Sequence, residues 1–205
     1  KKLLWADKKL RLQYVDVESK NITQVAEATA FEFSDYAWSP DSRWIAYAKP
    51  EEETMTKLHL YSLGNAQTIA VTDGWFSSYA PSFSADGKYL FFVSNRSFAP
   101  SYSQTEFNNA YFDMAKIYLV TLAKETRSPF EPKSDEVKVK DEKPAKEPEK
   151  GAPKKEEKKD VVVKVDPEGI QSRIAALPIS ASGYRNLQSV GDKLYYIRRG
   201  NKDEK

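Results

Sequence analysis

Trp38-Ser39-Pro40-Asp41-Ser42-Arg43-Trp44-Ile45-Ala46-Tyr47 and Phe83-Ser84-Ala85-Asp86-Gly87-Lys88-Tyr89-Leu90-Phe91-Phe92 stand 45 residues apart, from Trp38 to Phe83, and follow one pattern. Each has an aromatic residue, a Ser, a tight turn through an Asp, a basic residue and then an apolar strand. A second element recurs in the same order. Leu12-Gln13-Tyr14-Val15-Asp16-Val17 matches Leu58-His59-Leu60-Tyr61-Ser62-Leu63 at a shift of 46, and Ile117-Tyr118-Leu119-Val120-Thr121-Leu122 is a third copy. Gly191-Asp192-Lys193-Leu194-Tyr195-Tyr196-Ile197 echoes the run from Gly87 to Val93. Two elements sharing one period of roughly 45 residues mark a repeat architecture.

Each unit divides into four short strands. In the best-preserved one a strand ends near Trp38, and Pro40-Asp41-Ser42 supplies the turn: Pro sets φ, and Asp bonds its own downstream backbone. Trp44 to Ala48 is the second strand and Lys57–Leu63 the third. Gly64-Asn65 turns the chain into Thr68–Val71, and Thr72-Asp73-Gly74 closes the unit. Tyr89-Leu90-Phe91-Phe92-Val93 is apolar on both faces, as a sheet sandwiched between two others requires. The expected fold is therefore all-β, a partial β-propeller of four-stranded blades stacked radially. A two-sheet sandwich fits the period less well.

Residues 1–137 are expected to form an incomplete first blade, entered at Leu3-Leu4-Trp5 near the end of its second strand, plus two further blades. Residues 138–160 form a Lys/Glu/Pro linker, and 161–205 continue the propeller as a truncated blade. The linker contains Pro144, Pro148 and Pro153, no aromatic residue, and only Val139, Ala145 and Ala152 as apolar residues. It buries too little to offset the entropy of ordering, so disorder is expected there.

Charge narrows the function classes. From Lys138 to Asp160 there are nine Lys and seven Asp or Glu. Removing them from 32 basic and 30 acidic residues leaves 23 of each, so the folded part is neutral. A nucleic-acid binder would concentrate basic residues there, so no nucleic-acid partner is expected. There is no Cys, which excludes disulfides and thiolate metal sites. No apolar run approaches the roughly 18 residues of a membrane span.

No catalytic constellation is present. The single His, His59, excludes a two-His metal site; its mid-strand position points to a hydrogen-bonded structural role. There is no Gly-x-Ser-x-Gly elbow and no Gly-rich phosphate loop, and no cofactor is expected. Turn chemistry accounts for Asp41, Asp73 and Asp86. Asn21-Ile22-Thr23 and Asn95-Arg96-Ser97 are formal glycosylation acceptors, meaningful only in a secretory pathway. The third unit carries an insertion at about 97–116 with Phe98, Tyr102, Phe107, Tyr111 and Phe112. A loop of that length is often functional. These aromatics either cover the propeller rim or a neighbouring domain, or line a peptide-binding surface.

The segments Trp38–Arg43 and Phe83–Lys88 resemble the repeat shared by TolB-type propellers, prolyl oligopeptidases and tricorn proteases. Three further stretches are similar to tricorn-like proteases. They are Asp35 to Ser42; Tyr79-Ala80-Pro81-Ser82-Phe83 through Ser94-Asn95-Arg96, followed by Phe98 and the insertion; and Val165-Asp166-Pro167-Glu168-Gly169-Ile170-Gln171-Ser172-Arg173-Ile174-Ala175-Ala176-Leu177-Pro178, with Gly183-Tyr184 after it. With Ser128-Pro129-Phe130, the likeness covers essentially the whole chain. The resemblance implies a serine peptidase of the S41 type cleaving oligopeptides, with two propellers, a PDZ domain and a Ser/His-based catalytic domain. This chain would be part of the second propeller, gating or channelling oligopeptides and scaffolding the catalytic domain. No catalytic residue carries over onto it. The implied partners are oligopeptides, the PDZ and catalytic domains of the same chain, and further copies in a homo-oligomer. The implied compartment is cytoplasmic, or periplasmic with a signal peptide on the parent. One alternative is a TolB-like protein-binding propeller without enzymatic activity. Another is the propeller lid of a prolyl oligopeptidase, which would need a Gly-x-Ser-x-Gly elbow. The Asp166–Pro178 segment speaks against both.

Overall fold

The computed structural model describes residues 1–98, 100–102, 105–131 and 161–200, so the charged linker at 138–160 lies outside the described residues. Strands β1 (Lys2–Ala6), β2 (Arg11–Asp16) and β3 (Ile22–Glu27) make a three-stranded antiparallel sheet. Strands β4 (Tyr36–Trp38), β5 (Trp44–Lys49), β6 (Lys57–Ser62) and β7 (Thr68–Ala70) follow as a four-stranded sheet in sequential order. Next come β8 (Ser78–Phe83) and β9 (Tyr89–Ser94), a short hairpin of β10 (Ser101–Tyr102) and β11 (Asn109–Ala110), and β12 (Lys116–Thr121). Beyond residue 161 lie β13 (Ile174–Ala176) and the pair β14 (Gly183–Val190) and β15 (Lys193–Arg199). The repeated third strand, read from Leu12, Leu58 and Ile117, appears as β2, β6 and β12.

The Ser-x-Asp turn is built identically in its two copies. The Ser39 hydroxyl donates to Asp41 Oδ1 at 2.6 Å, while Ser39 Oγ accepts the Trp44 N–H at 2.9 Å. In the other copy the Ser84 hydroxyl donates to Asp86 Oδ1 at 2.7 Å, and Ser84 Oγ accepts the Tyr89 N–H at 2.9 Å. The N–H groups of Arg43 and Lys88 donate to the same Asp oxygens, each at 3.1 Å. The residue directly after each Asp is left-handed: Ser42 at φ 59° and Gly87 at φ 71°. Only a compact polar network closes so tight a turn beside a buried strand, which is why the sequence repeats it.

In the two four-stranded sheets successive side chains alternate between two cores, so each of these sheets is buried on both faces. Ile45 and Tyr47 of β5 face Leu12 and Val25 of the preceding sheet and Phe33 of the connection that follows it. Ala46 and Ala48, one residue out of phase, face Phe83, Leu90 and Phe92 of the following one, together with Leu58 and Leu60. A third cluster joins Val93 and Ile117 to Tyr184 of β14. Sheet thus stacks on sheet as propeller blades do, and none of the sheets among the described residues closes on itself.

The blade opened by β8 is completed from far along the chain. Its strand order is β8-β9-β12-β13, with Tyr118, Leu119 and Val120 opposite Ala176, Ala175 and Ile174. The residues from Val161 to Ala176 therefore finish an existing blade, and the next begins at β14. On the way, Val161 to Asp166 run as a strap without ladder partners. The Val163 N–H donates to Asp41 Oδ2 at 2.8 Å, so one carboxylate organises its own turn and anchors a segment 122 residues away. The strap lies so close to the neighbouring turn that a Cβ on Gly87 would meet Val163 Cγ2 at 2.8 Å. Asp166 then accepts the Lys124 N–H at 2.8 Å, and a 3-10 turn at Ile170–Arg173 delivers the chain to β13.

His59 lies in β6 as expected, and its Nδ1 is buried without a partner. The ring stacks on Tyr47, with centroids 5.4 Å apart and planes at 17°. Burial lowers its pKa, opposed by the charge of Glu51 and reinforced by that of Lys49. The folded state holds the neutral ring, whereas the unfolded chain binds a proton near pH 6.5. Stability is therefore full above that pH and is lost as pH falls towards the lower folded pKa. His59→Gln is expected to flatten this loss in denaturant midpoints measured from pH 7.5 to 5. The carboxylates of Asp7, Asp16 and Asp86 have lowered pKa values and act only at more acidic pH.

Candidate functional site

The first strands of successive blades, β4, β8 and β14, pack one against the next. At the end of the stack where β5 and β9 finish and β6 and β12 begin, backbone bonds stitch the loops into one rim. The Met55 N–H donates to Gly74 O at 3.0 Å and the Ser78 N–H to Thr56 O at 2.9 Å, zipping the 50–56 loop to the 71–77 loop. The Asn95 N–H donates to Ser77 O at 3.1 Å and the Ser97 N–H to Met114 O at 3.0 Å, tying the insertion to the same rim. The Ser182 N–H donates to Ala115 O at 2.9 Å and adds the loop before β14.

Beneath the insertion the support is polar and buried. The Ser78 hydroxyl lies 3.0 Å from that of Ser94, and the Arg96 Nε–H donates to Ser94 Oγ at 3.2 Å. The Arg96 guanidinium stands 5.5 Å from the centre of the Tyr118 ring, a cation–π distance. The Tyr79 hydroxyl donates to Asn95 Oδ1 at 3.4 Å. Burial raises the Tyr79 pKa, and the charge of Asp35 adds to the effect, so the phenol stays protonated as a donor.

The insertion folds back as the β10–β11 hairpin, and its five aromatic residues are all exposed. Phe98 and Tyr111 form one ring pair, 5.4 Å apart. Tyr102 and Phe107 form another, edge to face at 6.4 Å. Phe112 belongs to neither pair. Phe107 and Asp113 adopt left-handed conformations, at φ 56° and 48°, uncommon for residues other than Gly. The hairpin thus holds its aromatics outward on paired, positioned rings rather than folding them into the blade.

Sequence reasoning missed the other half of this rim. Trp75 is 80% exposed, Met55 is exposed, and Phe76 is partly so. Asp73 Oδ1 accepts the Trp75 N–H at 3.1 Å, and Gly74 takes φ +86°, a turn that throws the indole outward. The available signal was a Trp directly after Asp-Gly, where a turn rather than a strand interior is expected. A cavity of about 480 Å³ opens beside it, lined by Glu52, Glu53, Thr54, Met55, Asp73, Gly74 and Trp75. Chemically the rim offers apolar surface, aromatic rings and carboxylates. Among the described residues no cluster of His, Cys, Asp or Glu is arranged to hold a metal ion, and no helix is long and apolar enough to cross a membrane.

Comparison with known proteins places this geometry. The family model described as the tricorn protease second beta propeller domain matches residues 1–203. Tricorn protease homolog 1 of Streptomyces coelicolor is 31% identical over 192 residues, covering 92% of this chain and 17% of that protein. The tricorn protease of Thermoplasma volcanium is 26% identical over 198 residues, covering 94% of this chain and 17% of that protein. The crystal structure of the tricorn protease superposes with a TM-score of 0.71 at 20% identity, covering 90% of this chain and 17% of that one. The chain thus spans about a sixth of the length of these relatives.

Proposed function

The chain belongs to the family of tricorn protease second β-propeller domains, and from that premise we propose that it is a non-catalytic propeller segment of a tricorn-like serine peptidase, gating or channelling oligopeptides and scaffolding a catalytic domain elsewhere in the protein. In this reading residues 1–137 and 161–205 are parts of one propeller on either side of the 138–160 linker. The parent would carry the PDZ and catalytic domains and assemble as a homo-oligomer in the cytoplasm. The observation that carries the role is the rim. Exposed Phe98, Tyr102, Phe107, Tyr111, Phe112 and Trp75 sit on loops bonded to one another at one end of the blade stack. Oligopeptides present apolar side chains along an extended backbone, and a surface of fixed rings engages such side chains.

Removing the hairpin from the full-length protein, residues 98–112 replaced by a Gly-Ser link, tests the reading. The kcat/KM for peptides of ten or more residues is expected to change about five-fold or more, while that for a short chromogenic substrate stays the same. Parallel changes for long and short substrates would remove gating from the account. A full-length protein without peptidase activity would instead favour a propeller whose role is protein binding.

A further inference from the structure

We propose that the groove between the 50–56 and 71–77 loops binds a basic side chain, Lys or Arg, of a peptide at the rim. The inference rests on the peptide-handling reading above and names the substrate class that this part of the rim selects. The groove is built, since the Met55–Gly74 and Ser78–Thr56 backbone bonds and the acceptance of the Leu58 N–H by Thr72 Oγ1 at 3.0 Å fix its walls. Its volume of about 480 Å³ accommodates a long side chain together with adjoining backbone. Two of its linings, Met55 and Trp75, are exposed apolar residues that would cover an aliphatic stem. An open indole face is also the preferred aromatic partner of a guanidinium or ammonium group.

Charge complementarity selects the occupant. Glu52, Glu53 and Asp73 line the groove, and none of the three forms an ion pair among the described residues, whereas the neighbouring Glu51 is paired with Lys49 at 3.8 Å. Lys57 lines the adjoining depression with Glu51, Glu52 and Glu53. The Lys57 stem is packed against Gly74, where an added Cβ would collide with Lys57 Cε. Three carboxylates against one ammonium leave the groove negative. An acidic or wholly apolar side chain would bring these carboxylates no compensation, while a basic one neutralises them and keeps its stem on Met55 and Trp75.

The test measures binding of N-acetylated, fluorescein-labelled octapeptides to the full-length protein by anisotropy. One peptide carries an internal Arg, and its counterpart has norleucine at that position. The Arg peptide is expected to bind about ten-fold more tightly, with the preference shrinking as salt is raised. The triple variant Glu52→Gln/Glu53→Gln/Asp73→Asn keeps an acceptor for the Trp75 N–H and is expected to erase the preference. Trp75→Ala is expected to weaken the Arg peptide more than the norleucine one. Equal binding of the two peptides, or a preference that survives the triple variant, overturns the proposal. So does a preference seen only for a norleucine peptide with a free amino terminus. In those cases the gating reading still stands or falls separately on the hairpin deletion, whereas failure of every peptide to bind at the rim removes both.

Discussion

Phe92→Ala is expected to lower the unfolding free energy by about 3–5 kcal/mol. Phe92 is fully buried in the middle of β9. Its ring stacks on Tyr118 of β12 in its own blade, with centroids 5.8 Å apart and planes at 23°. It belongs to the same buried cluster as Ala46, Ala48, Leu58 and Leu60 of the neighbouring blade. Truncation would therefore open a cavity between two sheets, each held rigid by its own hydrogen-bond ladder and poorly able to collapse into the gap. A single domain is stable by roughly 5–15 kcal/mol, so the loss is a large share of the total. Urea denaturation should show a lower midpoint with an unchanged slope. Phe92→Leu, which keeps most of the volume, should lose less than about 1.5 kcal/mol. A loss below about 1 kcal/mol for the Ala variant would mean that the blades do not share this core.

Arg173→Ala should release the strand that completes the third blade. The Arg173 guanidinium donates to four backbone carbonyls: Thr121 O at 2.9 Å, Leu122 O at 3.1 Å, Asp166 O at 2.6 Å and Glu168 O at 2.8 Å. These carbonyls belong to the end of β12 and to the strap leading to β13, so one planar fork clamps both sides of the junction. Hydrogen bonds to charged groups contribute roughly 1.5–3 kcal/mol each. The site is only partly buried and water replaces some of the loss, so the net cost is about 3 kcal/mol. Lys supplies a point charge without the fork and should recover less than half of that. Hydrogen exchange localises the effect: the amides of Ala175 and Leu177, which face β12, should lose protection while those of β9 keep theirs. Uniform loss across the blade would instead make Arg173 a contributor to global stability only.

The repeat period, the two-sided apolar strands and the Ser-x-Asp turn were all legible in the sequence because each depends on residues within a few positions. Ser39, Asp41 and Trp44 close their turn through local bonds. The run Tyr89-Leu90-Phe91-Phe92-Val93, apolar on both faces, is enough to say that the strand faces two cores. The insertion was also visible, as an aromatic-rich excess over the period. What stayed hidden involves partners far apart in sequence. Ile174-Ala175-Ala176 is too short to show a period, and its place beside β12 follows from the strap bonds at Asp41, Lys124 and Arg173. That the His59 ring lies flat on Tyr47 follows from the packing of β5 against β6. The acidic groove beside Trp75 exists only because backbone bonds bring two loops of one blade side by side. The sequence alone therefore determined the repeating unit, since local hydrogen bonding and side-chain alternation are encoded by near neighbours. Which distant strand closes a blade, and which loops meet at its rim, was decided only by the tertiary structure, where sheet stacking selects among pairings that the local sequence leaves equivalent.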